Sequence, residues 1–340
     1  MSQTTPADVP PAQAMLQLIG GFWVSRALYA AATLGLADLL KDGPRSADAL
    51  AAATGMKARP MYRLLRALAS VGVFRERADG TFELTAVAAT LRSDVPDSLR
   101  ATAMSELGPS HYGAWGEILH SLKTGDPSFD HVHGMPVFEW FGQNPDRAKI
   151  FNQSMTEFST MVEAAVVEAY DFSACGTIVD VGGGHGSFLA GILKKWPSLR
   201  GIVYDSPQVV AGAAPLLASA GLTDRCTTAA GDFFQSVPAG GNTYVMKHII
   251  HDWYDDRCQA ILGHCRKVMK PGDRVLIVDQ VLPGGNEPSI GKFTDLVMMI
   301  MPGGMERTAA EFESLVTRAG LRFGRIVPTK SPVCVVEAFA

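Results

Sequence analysis

Val179–Leu189, VDVGGGHGSFL, is the stretch whose reading decides the fold. A short β-branched run leads into its glycines and an amphipathic run leaves them, which spells strand, tight turn and helix. Gly182, Gly183, Gly184 and Gly186 let the backbone pass close to a ligand where a side chain would intervene. The helix that follows presents free N–H groups and the positive end of its dipole.

Asp180 comes just before these glycines, Asp205 ends the next predicted strand, and the loop holds no Lys or Arg. A phosphate site wants the opposite balance of charge. An acidic mouth with one acid at the second strand tip suits a nucleoside ribose and a cationic, phosphate-free tail, which describes S-adenosylmethionine. The rival is a dinucleotide site, which needs G-x-G-x-x-G. Gly182 and Gly184 fit that pattern, but Ser187 takes the third position. Asp205 would suit either ribose, so the rest of the chain has to decide.

The 340 residues are 47% hydrophobic and 19% charged, enough for two domains with sizeable cores. A net charge of −4 gives no general attraction to nucleic acid or to an anionic membrane. The five cysteines, Cys175, Cys226, Cys258, Cys265 and Cys334, are scattered without a C-x-x-C pair, as in a protein kept reduced. The opening MSQTTPADVPPAQAM has neither a basic region nor an apolar core, so no secretory signal is expected and a cytoplasmic location is. Gln17, Ser25, Arg26 and Asp38 interrupt the apolar stretch Met15–Leu40 too often for a membrane span.

Residues 1–100 read as a small winged-helix dimerisation domain. Leu18, Ile19, Phe22 and Trp23 recur at helical spacing in a segment so apolar that burial against a second subunit is expected. Ser46 caps a helix that stops at Gly55, and a second helix runs from Arg59 to Ser70. Val73–Arg77 and Phe82–Thr85 then form a hairpin about Asp79-Gly80. Lys57, Arg59, Arg63 and Arg66 could face DNA, but nearby acids offset them, and a solvated face on a dimerisation unit is the expectation. Residues 101–170 read as a helical connector and lid.

Residues 171–340 alternate strand and helix, which predicts a mostly parallel α/β sheet with helices on both faces. The strands are Thr177–Val181, Gly201–Tyr204, Cys226–Ala230, Thr243–Lys247 and Arg274–Asp279, followed by a helix Thr308–Ala319. Phe323–Val327 and Val333–Phe339 close a seven-stranded sheet as an antiparallel hairpin, which departs from a dinucleotide fold. Ligands in such sheets sit at the carboxyl ends of the strands. Those ends carry Asp180, Asp205, Gly231-Asp232-Phe233, Lys247-His248 with His251-Asp252-Trp253 beyond, and Asp279.

In this order and spacing, VDVGGGHGSF, the YD of the second strand, GDFF, KHIIHDW, DQVLP and GGMERT resemble the dimeric, metal-independent small-molecule O-methyltransferases of plant phenolic and bacterial antibiotic pathways. The resemblance covers nearly the whole chain, and FNQSM looks like the family's acceptor-lining segment. It implies S-adenosylmethionine as methyl donor, no metal, and a homodimer whose front end completes the partner's pocket. His251 matches the catalytic base, with Asp279 and Glu306 as its flanking acids. Gly182, Gly184, Asp205, Asp232, Phe233, Lys247 and Ser159 match cofactor contacts. Phe141, Met155 and Asp252 fall where acceptor contacts lie, and Met301 offers a soft thioether to a flat acceptor. Asp279 is shorter than the Glu common in plant members, which puts its reach to His251 in doubt. The acceptor segment matches plant members poorly, so the antibiotic-tailoring branch is closer.

The chemistry supports a histidine base on its own terms. Full proton transfer from a phenol of pKa near 10 to an ordinary imidazole costs roughly 5 kcal/mol. Two neighbouring carboxylates would stabilise the imidazolium and narrow that gap. His248 reads as packing beside the base, and His131 and His133 lack the acids or cysteines of a metal site. The expected function is therefore O-methylation of an aromatic hydroxyl on a small natural product such as a phenazine or aromatic polyketide. The alternatives are N-methylation of a heteroaromatic metabolite and a winged-helix regulator that senses a metabolite.

Overall fold

A computed structural model describes residues 10–340, so the first nine residues of the opening segment lie outside the described residues. The chain forms two compact units, one of residues up to Gly113 with Phe141–Phe158, the other of Ala114–Trp140 with Ser159–Ala340. The stretch 101–170, expected as a separate connector, is divided between them.

In the N-terminal unit the long helix is Pro11–Thr33, shorter than the apolar stretch Met15–Leu40. Gly35 takes a left-handed conformation (φ 63°) and restarts the chain as Leu36–Leu39. Met15, Leu16, Leu18, Ile19, Phe22 and Trp23 are all about half exposed or more, while Ala31 and Ala32 at the far end are buried. Ser46 accepts the Ala49 N–H at 3.2 Å to start the helix Ala47–Thr54, and left-handed Gly55 ends it. The helix Ala58–Ser70 then presents Met61, Leu65 and Leu68 to the core. Its Lys57, Arg59, Arg63 and Arg66 side are exposed, with Arg59 and Arg66 over the Tyr62 ring. Strands Phe74–Glu76 and Thr81–Leu84 pair antiparallel, and Arg45–Ser46 adds a third strand on the far side of Thr81–Leu84. That is the winged helix expected from the sequence.

The catalytic unit is built on strands β1 (Thr177–Val181), β2 (Arg200–Asp205), β3 (Cys226–Ala230), β4 (Thr243–Lys247), β5 (Arg274–Leu282), β6 (Arg322–Pro328) and β7 (Val333–Phe339). Their order is β6-β7-β5-β4-β1-β2-β3, and a two-residue strand, Arg307–Thr308, lies beside the end of β5. β1 to β5 are parallel, and β7 runs antiparallel between β5 and β6. One face buries Phe188, Leu189, Val203 and Leu276, and the other buries Tyr244, Ile261, Phe312 and Val336. Strand order reverses between β1 and β4, so their carboxyl ends open the crevice where this architecture binds ligands.

All five cysteines are free, four of them buried. Burial pushes the Cys226 thiol up to about 11 and those of Cys258 and Cys265 up to about 12. Among the described residues no helix is long and apolar enough to cross a membrane.

Candidate active site

The glycine loop after β1 is shaped by its neighbours. Gly182 is left-handed (φ 71°), and a Cβ there would overlap the Ile249 side chain and approach Phe233. Gly184 N–H donates to Asp205 Oδ2 at 2.9 Å, and Ser206 N–H donates to Asp205 Oδ1 at 2.7 Å. Asp205 thereby ties the tip of β2 to the loop. Asp232 accepts the Phe234 N–H at 2.8 Å, which fixes the turn carrying the half-buried Phe233. The Phe233 ring lies edge-on to Trp253, 6.5 Å between centroids.

Beneath the loop, Asp180 is buried and its Oδ2 has no hydrogen-bond partner. Burial pushes its carboxyl up to about 7 against the pull of Lys247. Lys247, at the end of β4, donates to Ser159 Oγ at 2.8 Å and lies 3.4 Å from Glu163 Oε1. Ser187, at the start of the loop helix, donates to the same Glu163 oxygen at 2.8 Å. Glu163 stands one turn beyond Ser159 on the helix Pro145–Ala169, a spacing that places both on one side. An ammonium, a hydroxyl and an unpaired carboxyl at one crevice match the charges of an amino-acid zwitterion.

A short 3₁₀ turn, Ile250–Asp252, follows β4 and carries His251. His251 Nδ1 lies 3.1 Å from Glu306 Oε1, and its Nε2 lies 3.5 Å from Asp252 Oδ1. Glu306 Oε1 also accepts from Gln280 Nε2 at 3.3 Å, and the Glu306 N–H donates to Asp295 at 2.8 Å. Burial alone would lower the His251 pKa. The carboxylates of Asp279, Asp252 and Glu306 outweigh burial and push it up to about 10. Burial raises Asp279 to about 7 and Asp252 to about 6.

Asp279 acts on His251 through space. It is fully buried, neither of its oxygens has a hydrogen-bond partner, and His248 Nδ1 lies 3.7 Å away. Burial and the positive neighbours His251 and Lys247 hold His248 well below the usual histidine range. The doubt about the shorter side chain therefore has an answer: it makes no hydrogen bond to the base.

The sequence reading missed what grips the His251 turn. Arg307 is 1% exposed and donates to the carbonyl oxygens of Ile250 (3.1 Å) and Trp253 (3.0 Å), on either side of His251 and Asp252. It also bonds Asp255 Oδ1 at 2.9 Å. Met305 N–H donates to the His251 carbonyl at 2.9 Å, and a Cβ on Gly304 would overlap that same oxygen. The GGMERT segment thus holds the base by its backbone and by its ring. The signal available in the sequence was the glycine pair ahead of an acid and an arginine.

The remaining candidates are more dispersed. Met301 is buried in the catalytic unit. Phe141 and Met155 belong to the N-terminal unit, where Phe141 stacks on Phe151 at 4.5 Å. Phe141 also lines an opening of about 460 Å³ with Pro145, Lys149, Asn152 and Gln153, and Met155 is not part of its wall.

The family model of an O-methyltransferase domain matches residues 115–322, and that of an O-methyltransferase dimerisation domain matches residues 16–94. The chain belongs to the O-methyltransferase family. This O-methyltransferase is 44% identical over 330 residues to the phenazine O-methyltransferase PhzM of Lysobacter antibioticus, covering 97% of this chain and 96% of that protein. It is 38% identical to the mitomycin biosynthesis 6-O-methyltransferase of Streptomyces lavendulae, covering 98% and 96%. A solved O-methyltransferase from neocarzinostatin biosynthesis, in complex with S-adenosylmethionine and 2-hydroxy-5-methyl naphthoic acid, superposes with a TM-score of 0.81. It is 33% identical and covers 93% of this chain and 95% of that one. The O-methyltransferase is thus an enzyme, which sets aside the regulator reading, and N-methylation is not the favoured activity.

Proposed function

We propose that this O-methyltransferase moves a methyl group from S-adenosylmethionine to an aromatic hydroxyl of a small natural product, a phenazine, aromatic polyketide or similar antibiotic intermediate. One observation carries the assignment of roles. His251 is fixed through Nδ1 by a buried carboxylate, among three acids, at the strand end that adjoins the glycine loop.

When bound, the cofactor supplies an electrophilic methyl on a cationic sulfur. The residues present fit it: Lys247 and Ser159 offer donors to its carboxylate, and the unpaired Asp180 offers an acceptor to its amine. The loop of Gly182 and Gly184 leaves room for the backbone to approach, Asp205 receives the ribose, and Asp232 and Phe233 receive the adenine. Asp205 keeps acceptor capacity beyond its two backbone bonds.

His251 faces the acceptor through Nε2, because Glu306 occupies Nδ1, and shares one proton with the acceptor oxygen. Asp279 and Glu306 stabilise the charge on its protonated ring, which makes exchange of that proton with a phenol of pKa near 10 close to thermoneutral. Alignment of oxygen, methyl and sulfur supplies much of the remaining acceleration. The chemistry calls for no metal, since the donor is already cationic. Asp252 and Met301 are the proposed acceptor contacts of the catalytic unit, and Phe141 and Met155 hold that role by their family match alone. The dimerisation-domain match supports a homodimer through the apolar face of Pro11–Thr33.

The test is His251→Ala, assayed for transfer to a weakly acidic phenol and by calorimetry for cofactor affinity. A loss of about 10²-fold or more in turnover with unchanged affinity is expected. Near-normal turnover would make His251 structural. In the same calorimeter, Lys247→Ala is expected to weaken cofactor binding by about tenfold, the worth of one charge-assisted hydrogen bond.

A further inference from the structure

Near the ends of β4 and β5, a histidine that methyl transfer does not use, His248, joins His251 and Asp279 in a cluster of metal-ligand type. One ring nitrogen each of His248 and His251 and one oxygen of Asp279 lie within 4.8 Å of one another. His248 Nδ1, both Asp279 oxygens and Glu306 Oε2 are buried without a hydrogen-bond partner. Buried polar atoms left without a partner are costly, and a cation held by this cluster would satisfy those of His248 and Asp279. His248 is also the one non-glycine among the described residues with left-handed backbone (φ 55°). Strain of that kind collects at ligand clamps and active sites.

The donor set selects the ion. Two imidazoles and a carboxylate suit zinc and its neighbours and not magnesium or calcium, which want oxygen. Tetrahedral bonds of about 2.1 Å put ligand atoms roughly 3.4 Å apart. His248 Nδ1 and Asp279 Oδ1 are already at 3.7 Å. With one ring nitrogen taken from each histidine, the set spans at most 4.8 Å and so lies within about 1.4 Å of that spacing. The Glu306 bond to His251 Nδ1 is the outer support that metal-bound histidines use, and it leaves Nε2 as the donor.

We propose that His248, His251 and Asp279 form an inhibitory site for a zinc-class divalent cation, which stops transfer by displacing the Nε2 proton of His251 to solvent and occupying the lone pair that proton leaves. The inhibition rests on His251 being the base, whereas cation binding does not. The experiment uses the full chain freed of metal by chelation, with Co²⁺ as spectroscopic probe and Zn²⁺ as inhibitor. Expected are a tetrahedral Co²⁺ absorption band without thiolate charge transfer and its loss on adding Zn²⁺. Zn²⁺ also inhibits methyl transfer, a chelator reverses this, and Mg²⁺ has no effect. His248→Gln weakens Co²⁺ binding, and raises the Zn²⁺ needed to halve the variant's own rate, by about tenfold or more. Asp279→Asn gives the same loss of Co²⁺ binding should the first variant fold poorly. No tetrahedral band, a thiolate band, or binding indifferent to both substitutions overturns the site. Binding that follows these substitutions while transfer continues undiminished overturns the inhibition and, with it, His251 as the base.

Discussion

With three carboxylates around it, His251 keeps its proton to about pH 10, so at neutral pH the ring is an imidazolium before any acceptor arrives. An imidazolium facing a phenolate has the same number of protons as an imidazole facing a phenol. The acceptor can therefore bind as its anion, releasing its proton to water on the way in. The sign of the pH dependence follows. For an acceptor of pKa about 7–8, kcat/KM rises through the acceptor's own pKa, levels off, and falls as His251 deprotonates near 10. His251→Gln lowers the plateau and removes the upper fall. A lower limb near 6.5 for every phenol offered would instead reveal an ordinary imidazole at work. His251, Lys247 and Asp205 were legible in the sequence because each ends or closely follows a predictable strand. The pairing of His248 with Asp279 was not. It depends on the register that sets Lys247 beside Val278, so that the next residues of β4 and β5 meet, and register is invisible in one sequence.

At the scale of the element, the GGMERT segment is a clamp on the 3₁₀ turn. Gly304→Ala is expected to push the His251 carbonyl aside and cost about 10²-fold in kcat, since a displacement near 1 Å suffices for that. Cofactor affinity, read by calorimetry, stays as it was. Arg307→Met leaves two backbone carbonyls without their charged donor and is expected to cost about 3 kcal/mol, read as a shift of the urea midpoint at constant m. An unshifted midpoint would remove Arg307 from the clamp. Helices and strands here were legible from periodicity and caps, such as the Ser46 cap. Arg307 was not, because a lone arginine after an acid reads as a solvated residue until tertiary structure buries it.

On the scale of the whole molecule, one helix leaves a run of large apolar side chains exposed on the isolated chain. Met15, Leu18, Ile19, Phe22 and Trp23 crowd the exposed part of one helix. Light scattering is expected to give twice the chain mass, and Phe22→Asp with Trp23→Asp to give a monomer of low activity. A stable, fully active monomer of the unaltered chain would defeat the dimer. Composition exposed this helix early, but only the structure showed that Gly35 ends its run. The cysteines extend the consequences to handling and storage. Every one of the five has its thiol pKa raised by burial, so little thiolate is on offer to peroxide or to a disulfide reagent. The enzyme should age in air without dithiothreitol and keep its rate, and its sulfurs should answer a colorimetric thiol titration only after the chain is unfolded.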